Sequence, residues 1–172
     1  MYNFEILSAL ETNKCINKYT YGVYPLDRIP RKVKSKPAFF VINTHKAKYN
    51  GEHWVAIYIP VKGYAIYFDS YGFPPRHTEI KTFLKNNSNK YIYNKRQLQS
   101  SVSVVCGEYC CMFLLYQCRK KNLKSFYTRF GRKSLSSNDS KIQSSFKTSF
   151  NLQNVFKYYE TCPLHQTCTR LN

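Results

Sequence analysis

The sequence predicts an α+β fold of one domain, residues 1–172, in which a small mixed or antiparallel sheet packs against a helix that opens at Cys106. Three observations carry that expectation. Residues 53–60 and 64–69 have strand character and are separated by a short turn containing Gly63, which reads as a β-hairpin. Residues 38–43 are short, aromatic and β-branched, as suits a buried strand. Residues 107–121 are apolar and unbroken, and end in Arg119, Lys120 and Lys121, as the negative end of a helix dipole favours.

Taken in order, Phe4, Leu7 and Leu10 recur at helical spacing, so residues 2–10 are expected to form a short amphipathic helix. Residues 21–30 contain Gly22, Pro25 and Pro30, and read as a loop or irregular edge. Arg31, Lys32, Lys34 and Lys36 come next, a basic run whose default setting is an exposed face. Folding the hairpin about residues 61–62 brings His53 opposite Asp69 or one residue off, and directly opposed Cβ atoms stand about 4.5–5.5 Å apart. Residues 70–75 are a turn-rich exit; Ile80, Phe83 and Leu84 then suit a helix over residues 77–86, and residues 90–93 another short strand. Residues 133–141 are rich in Ser, Asn and Lys and read as a loop, with residues 137–140 able to cap a helix beginning after them. Ile142 and Phe146, then Leu152, Val155, Phe156 and Tyr159, sit at helical spacing, as one or two closing amphipathic helices would require. The tail, about residues 162–172, is expected to be flexible.

The chain is 43% hydrophobic, with 16 Tyr and 12 Phe, which excludes a disordered polymer. Against 9 acidic residues stand 27 Lys and Arg, a formal charge of +18, so a polyanion is the expected partner and nucleic acid the first choice. The basic clusters are spread along the whole chain, which points to sequence-independent phosphate contact. The candidate DNA contacts are Arg31, Lys32, Lys34, Lys36, Arg119, Lys120 and Lys121. Seven Cys is an odd count and Cys110 adjoins Cys111, a pattern unlike a secreted disulfide framework. Cys110, Cys111 and Cys118 read as core packing. With no signal peptide and no membrane-length apolar run, the expectation is a soluble protein of a reducing compartment.

The chemistry gathers around one thiol. A thiol hydrolase needs a thiolate, an imidazole, a group that orients the imidazole, and donors aimed at the developing oxyanion. Cys106 sits where a strand-like segment gives way to a helix, whose N-terminus favours thiolate. His53 is the natural base, with Asp69 to hold its tautomer. The side-chain amide of Gln99, seven residues before Cys106, could serve the oxyanion beside the Cys106 backbone N–H. Gly107 allows a tight turn there. Residue types alone leave open that Cys106 is simply a buried apolar residue.

His53-Trp54, Asp69-Ser70-Tyr71-Gly72, Gln99 and Cys106-Gly107, with Tyr109-Cys110-Cys111-Met112-Phe113 behind, resemble the adenain family of adenovirus endopeptidases. The same His, acid, Gln, Cys order occurs in the related SUMO-deconjugating proteases. Residues 41–44 and 21–24 also resemble adenain segments. The resemblance implies a cysteine-protease fold and a viral endopeptidase that processes virion precursors at Gly-containing sites. It assigns His53 as general base, Asp69 as its orienter, Gln99 as oxyanion donor and Cys106 as nucleophile, and places Trp54 beside the imidazole. It further implies DNA as an activating cofactor and a monomer of the virion and host nucleus.

Two departures stand out. Adenovirus enzymes carry Glu where this chain has Asp69. They also link an activating viral peptide to a Cys eleven residues before the Gln, where this chain has Ser88, so a peptide would have to add without that disulfide. A ubiquitin- or SUMO-like deconjugase, and a non-enzymatic basic nucleic-acid-binding protein, are the alternative readings. Cys162, His165 and Cys168 supply three thiol or imidazole ligands where a structural zinc site wants four, so no metal is expected.

Overall fold

In the computed structural model, which describes residues 1–49 and 51–150, a five-stranded mixed sheet lies between helical layers of unequal size. The strands keep chain order across the sheet: β1 (Thr20–Pro25), β2 (Ala38–Asn43), β3 (Trp54–Ile59), β4 (Ala65–Asp69) and β5 (Tyr91–Tyr93). The central three pair antiparallel, and each edge strand is parallel to its neighbour. Every residue of β2 is buried because both its faces are covered. Phe39 and Val41 join the larger core with α1 (Asn3–Thr12), α3 (Cys106–Cys118), α4 (Leu123–Tyr127) and α5 (Leu135–Ser149). Phe40 and Ile42 face the smaller core, built on Ile80, Phe83 and Leu84 of α2 (Thr78–Asn87).

An aromatic cluster ties α3 to the sheet. Phe68 of β4 stacks on Phe113 of α3 at 4.6 Å between ring centroids and 8° between planes, and Phe126 of α4 meets Phe68 edge-on at 5.5 Å. Such pairs contribute about 0.5–1.5 kcal/mol each beyond their buried area. One residue after Phe68 the strand reaches Asp69, so this packing also sets the acid against the helix that begins at Cys106.

The architecture is the α+β arrangement the sequence predicts, with several local differences. Residues 20–25 form an edge strand, because β2 supplies the ladder that local propensity could not. Helix α1 buries Ile6, Ala9 and Leu10, a stripe turned from the expected Phe4, Leu7 and Leu10 by its packing on α3. Helix α4, short and capped by Asn122 accepting from Ser125 N–H at 2.8 Å, adds to the expected elements. Residues 135–149 are helical where the sequence suggests a loop as far as 141. Ser134 is the cap, its Oγ accepting from Ser137 N–H at 3.3 Å, while Asn138 and Asp139 are buried within the helix.

Cys118 is not plain core packing. It forms a disulfide with Cys15, with Cα atoms 6.1 Å apart, across a sequence separation of 103 residues that hides the pairing from any local reading. Cys106, Cys110 and Cys111 are the free thiols among the described residues. No helix among those residues is long and apolar enough to cross a membrane. The expected helix through Leu152, Val155, Phe156 and Tyr159, and the tail with Cys162, His165 and Cys168, lie outside the described residues.

Candidate active site

The hairpin register places the first pair of functional groups. Val55 stands opposite Asp69, so His53 is diagonal to Asp69 rather than directly across from it. A diagonal neighbour is within reach of a long side chain. His53 Nε2 and Asp69 Oδ1 are 3.0 Å apart. Asn43 holds the backbone around His53: its Oδ1 accepts from His45 N–H at 2.9 Å and Glu52 N–H at 3.4 Å, gathering both ends of the loop between β2 and β3. The His53 carbonyl then accepts from Thr44 N–H at 2.9 Å.

Asp69 is fixed in turn. Its Oδ1 also accepts from Tyr71 N–H at 2.8 Å. Asn94, fully buried, accepts from Asp69 N–H at 2.8 Å and donates to the Asp69 carbonyl, so the backbone of the acid is held from both sides. Gly72 closes the turn, with φ +79° and a Cα so near the Arg96 and Gln97 backbone that a Cβ would stand 2.6 Å from Arg96 carbonyl carbon. Only glycine meets both demands.

Cys106 opens α3, 8% exposed, with its thiol beside the His53 imidazole. With Nε2 committed to Asp69, Nδ1 is the nitrogen left for sulfur. Burial of the imidazole opposes its protonation, but hydrogen bonds to Asp69 and Cys106 and the negative charge of both more than offset this, raising the His53 pKa to about 9. The arrangement can therefore hold the imidazole protonated beside the Cys106 thiol at neutral pH. Cys110 and Cys111, one turn on and fully buried, have thiols pushed upward chiefly by burial and are inert by the same physics.

The segment before Cys106 is a loop rather than a strand, turned by Ser103 N–H donating to the Ser100 carbonyl at 3.2 Å. Within it Gln99 is enclosed. Its Oε1 accepts from Ser70 Oγ at 2.6 Å, while its Nε2 donates to the Ser103 carbonyl at 2.8 Å and to Tyr71 Oη at 3.3 Å. From the far side α5 clamps the loop, with Asp139 accepting from Ser100 N–H at 3.1 Å and Asn138 donating to the Leu98 carbonyl at 3.2 Å. Gly107 lies inside the helix, and its missing Cβ makes room for Met1, whose carbonyl accepts from Trp54 Nε1 at 3.2 Å. Trp54 is a core residue anchored to Met1.

The structure thus brings His53, Asp69, Cys106 and Gln99 to one place. Asn94, Asn138 and Asp139 support them without any sequence signal beyond polar residues in turn-like stretches, while Ser70 and Tyr71 lie within the stretch that carries the resemblance. Asn43 lies in a segment whose resemblance could have found it.

The basic residues stand elsewhere. Arg119, Lys120 and Lys121 are exposed beyond the far end of α3, a 13-residue helix about 20 Å long. Arg31, Lys32, Lys34 and Lys36 lie on a loop pinned to α2 through Asn87, where Lys36 Nζ donates to the Asn87 carbonyl at 2.7 Å. Ser88 has a structural hydroxyl, accepting from Ala65 N–H at 3.1 Å and donating to the Lys90 carbonyl at 2.7 Å.

No family model and no curated protein matches the chain by sequence. Solved structures do match by shape. Against the ASFV pS273R protease the TM-score is 0.62 at 18% identity, covering 87% of this chain and 67% of that one. This chain has a cysteine-protease fold. A selenomethionine form of the ASFV protease gives 0.51 at 18% identity, over 66% of this chain and 44% of that one. The chain spans from under half to about two-thirds of these proteins' length.

Proposed function

We propose that the protein is a cysteine endopeptidase that uses Cys106 as nucleophile and His53 as acid–base. The observation that carries this reading is the His53 imidazole lying between Asp69 Oδ1, at 3.0 Å, and the thiol at the first residue of α3. The Cys106 thiolate attacks the scissile carbonyl, and the oxyanion forms beside the helix N-terminus. His53 passes its proton to the leaving amine as the C–N bond breaks, leaving a thioester. A water then gives a proton to His53 and its oxygen to the acyl carbon; collapse of that intermediate releases the acid and the thiolate.

As substrates we propose virion precursor proteins cut at Gly-containing sites. In support stand the adenain-like spacing of the four residues, the likeness in fold to a viral protease, and a nucleophile with only 8% exposure, which favours small residues at the cut. The charge of +18 and the exposed run at Arg31, Lys32 and Lys34 support DNA as activating cofactor. Ser88 offers no thiol, so an activating peptide would add without a disulfide there. A monomer acting in the virion and host nucleus completes the reading.

The test is hydrolysis of a Gly-containing peptide by the wild type and Cys106→Ala, with and without DNA, over a salt series. Cleavage lost in Cys106→Ala and stimulated by DNA at low salt is the expected result. Cleavage of a SUMO-like conjugate alone would make the protein a deconjugase. Absence of any Cys106-dependent hydrolysis would leave a basic binding protein. A rate indifferent to DNA and salt would remove DNA from the scheme.

A further inference from the structure

Lys81, Lys85, Ser88, Asn89, Lys90 and Tyr91 line a groove of about 400 Å³ between α2 and the start of β5. None of these residues is acidic, and no ammonium group of the three lysines has an ion-pair partner among the described residues. Lys81 and Lys85 are four positions apart on one helix, so they share a face on which like charges repel. Lys90 comes back against them across the turn that follows the helix. A groove that gathers unpaired cations is complemented by an anion with several charges spaced along it.

The groove is fixed before any ligand arrives. Ser88 Oγ donates to the Lys90 carbonyl at 2.7 Å, and Ala65 N–H is shared between that hydroxyl and the same carbonyl, each at 3.1 Å. These bonds tie the turn to the first residue of β4. At the same end of α2, Asn87 Oδ1 accepts from Val33 N–H at 2.9 Å and Asn86 Nδ2 donates to the Arg31 carbonyl at 3.4 Å. Exposed Arg31 and Lys32 are therefore held near the groove and extend its basic surface.

Tyr91 decides between kinds of anion. It is 40% exposed on an edge strand, an aromatic ring open to water among ammonium groups. Tyr93, two positions on, shares its face of β5 and has Lys95 Nζ 5.8 Å from its ring centroid. Cations interleaved with rings suit a phosphate chain that carries flat bases, because the backbone follows the charge while the bases stack. A duplex keeps its base faces inside, whereas a single strand offers them. An acidic peptide or a bare polyphosphate meets the charge and leaves the rings unused.

We propose that this groove binds single-stranded nucleic acid, with Lys81, Lys85 and Lys90 on its phosphates and a base stacked on Tyr91. Ala65, which pairs with Tyr91, and Asp69 are the two ends of β4, about 13 Å apart at the usual rise of a strand. The ligand thus docks at the end of the sheet away from His53 and Cys106. The proposal rests on the nucleic-acid part of the reading above and not on its endopeptidase part.

The experiment is fluorescence anisotropy with a labelled oligothymidine, the same strand lacking its bases, and a duplex of equal length, over a salt series. Lys81→Gln, Lys85→Gln and Lys90→Gln together remove three charges from the groove; Arg119→Gln, Lys120→Gln and Lys121→Gln together remove as many elsewhere. The groove variant should weaken the oligothymidine on the order of tenfold more than the control does, with a salt slope smaller by about 2. Tyr91→Ala should weaken it about 5- to 100-fold, Tyr91→Phe should bind as wild type does, and the strand lacking bases should feel neither change. If Tyr91→Ala does not fold, irradiating wild type with an iodouracil-containing strand should cross-link Tyr91, read by mass spectrometry. Equal losses in the two triple variants, unchanged binding by Tyr91→Ala, or cross-links only elsewhere would each overturn the groove as the seat. Duplex bound more tightly than the single strand, through the same lysines, would overturn the assignment to single strands. An activating peptide that needs these lysines when nucleic acid does not would make this a peptide site and sink the proposal. A wild type that binds no nucleic acid overturns both this groove and DNA as cofactor, and leaves the peptidase reading to its own test.

Discussion

Ser70 holds Gln99 twice: its hydroxyl donates to Gln99 Oε1 at 2.6 Å, and its carbonyl accepts from Gln99 N–H at 3.2 Å. The residue after the acid therefore fixes the amide that the sequence places at the oxyanion. Ser70→Ala would leave a buried amide oxygen without its donor, a loss of about 1–3 kcal/mol. We expect a lower denaturation midpoint and a reduced kcat with KM little altered. Unchanged kcat at reduced stability would mean that the amide does not need this anchor.

The His53 pair predicts a pH dependence. An imidazole in the unfolded chain titrates near 6.5, and in the folded protein its pKa rises to about 9. The stabilisation is therefore complete below about 6.5 and is lost as pH climbs through about 9. The proton needed by the leaving amine disappears over the same alkaline range. A pH–rate profile on the peptide should fall above about pH 9, and Asp69→Asn should move that limb to lower pH.

Thiol labelling should single out one of the free cysteines. A peptide-directed electrophile should modify Cys106 on the order of a hundredfold faster than Cys110 or Cys111, whose burial disfavours thiolate. Mass spectrometry of the modified protein reads the site directly. Equal modification of Cys110 would contradict the assignment of Cys106.

Asp139 lies far along the chain from the nucleophile yet bonds both Ser100 N–H and Tyr109 Oη, each at 3.1 Å. Asp139→Ala strands Ser100 N–H and leaves Tyr109 Oη only the Leu98 carbonyl at 3.1 Å, and we expect a loss of about 1–3 kcal/mol in urea denaturation. Tyr109→Phe removes one of the two and should lose less. If the two substitutions together cost their simple sum, Asp139 is not the centre of one network.

The bond between Cys15 and Cys118 should matter to stability and not to chemistry. In the chain-entropy model, closing a loop of about 100 residues contributes about 4.7 kcal/mol. Reductant should lower the melting temperature of the wild type but not that of Cys15→Ser combined with Cys118→Ser, while peptide cleavage per folded molecule stays the same. A wild type indifferent to reductant would mean the bond is not formed in solution.

Elements whose signal is local are legible in the chain alone. Residues 38–43, the hairpin, the helix through Ile80, Phe83 and Leu84, and the helix opening at Cys106 are each marked by periodicity, turn residues or an unbroken apolar run. His53, Asp69, Gln99 and Cys106, the four that the fold gathers, are candidates by residue type and position, and the resemblance to the adenain family is what assigns their roles.

Features that depend on partners far away in the chain arise only from packing. The strand at residues 20–25 exists because β2 offers it a ladder. Cys15 meets Cys118 only after the sheet and helices have packed. Asn138 and Asp139 look like loop residues until the Gln99 segment supplies the backbone groups that offset the cost of burying them. Ser70 and Tyr71 read as turn residues, and nothing in their neighbours says that they face Gln99 and His53. The physical reason is common to all the polar cases: a buried polar group is stable only when its hydrogen-bonding partner is in place, and that partner is chosen by the fold, not by the adjacent sequence.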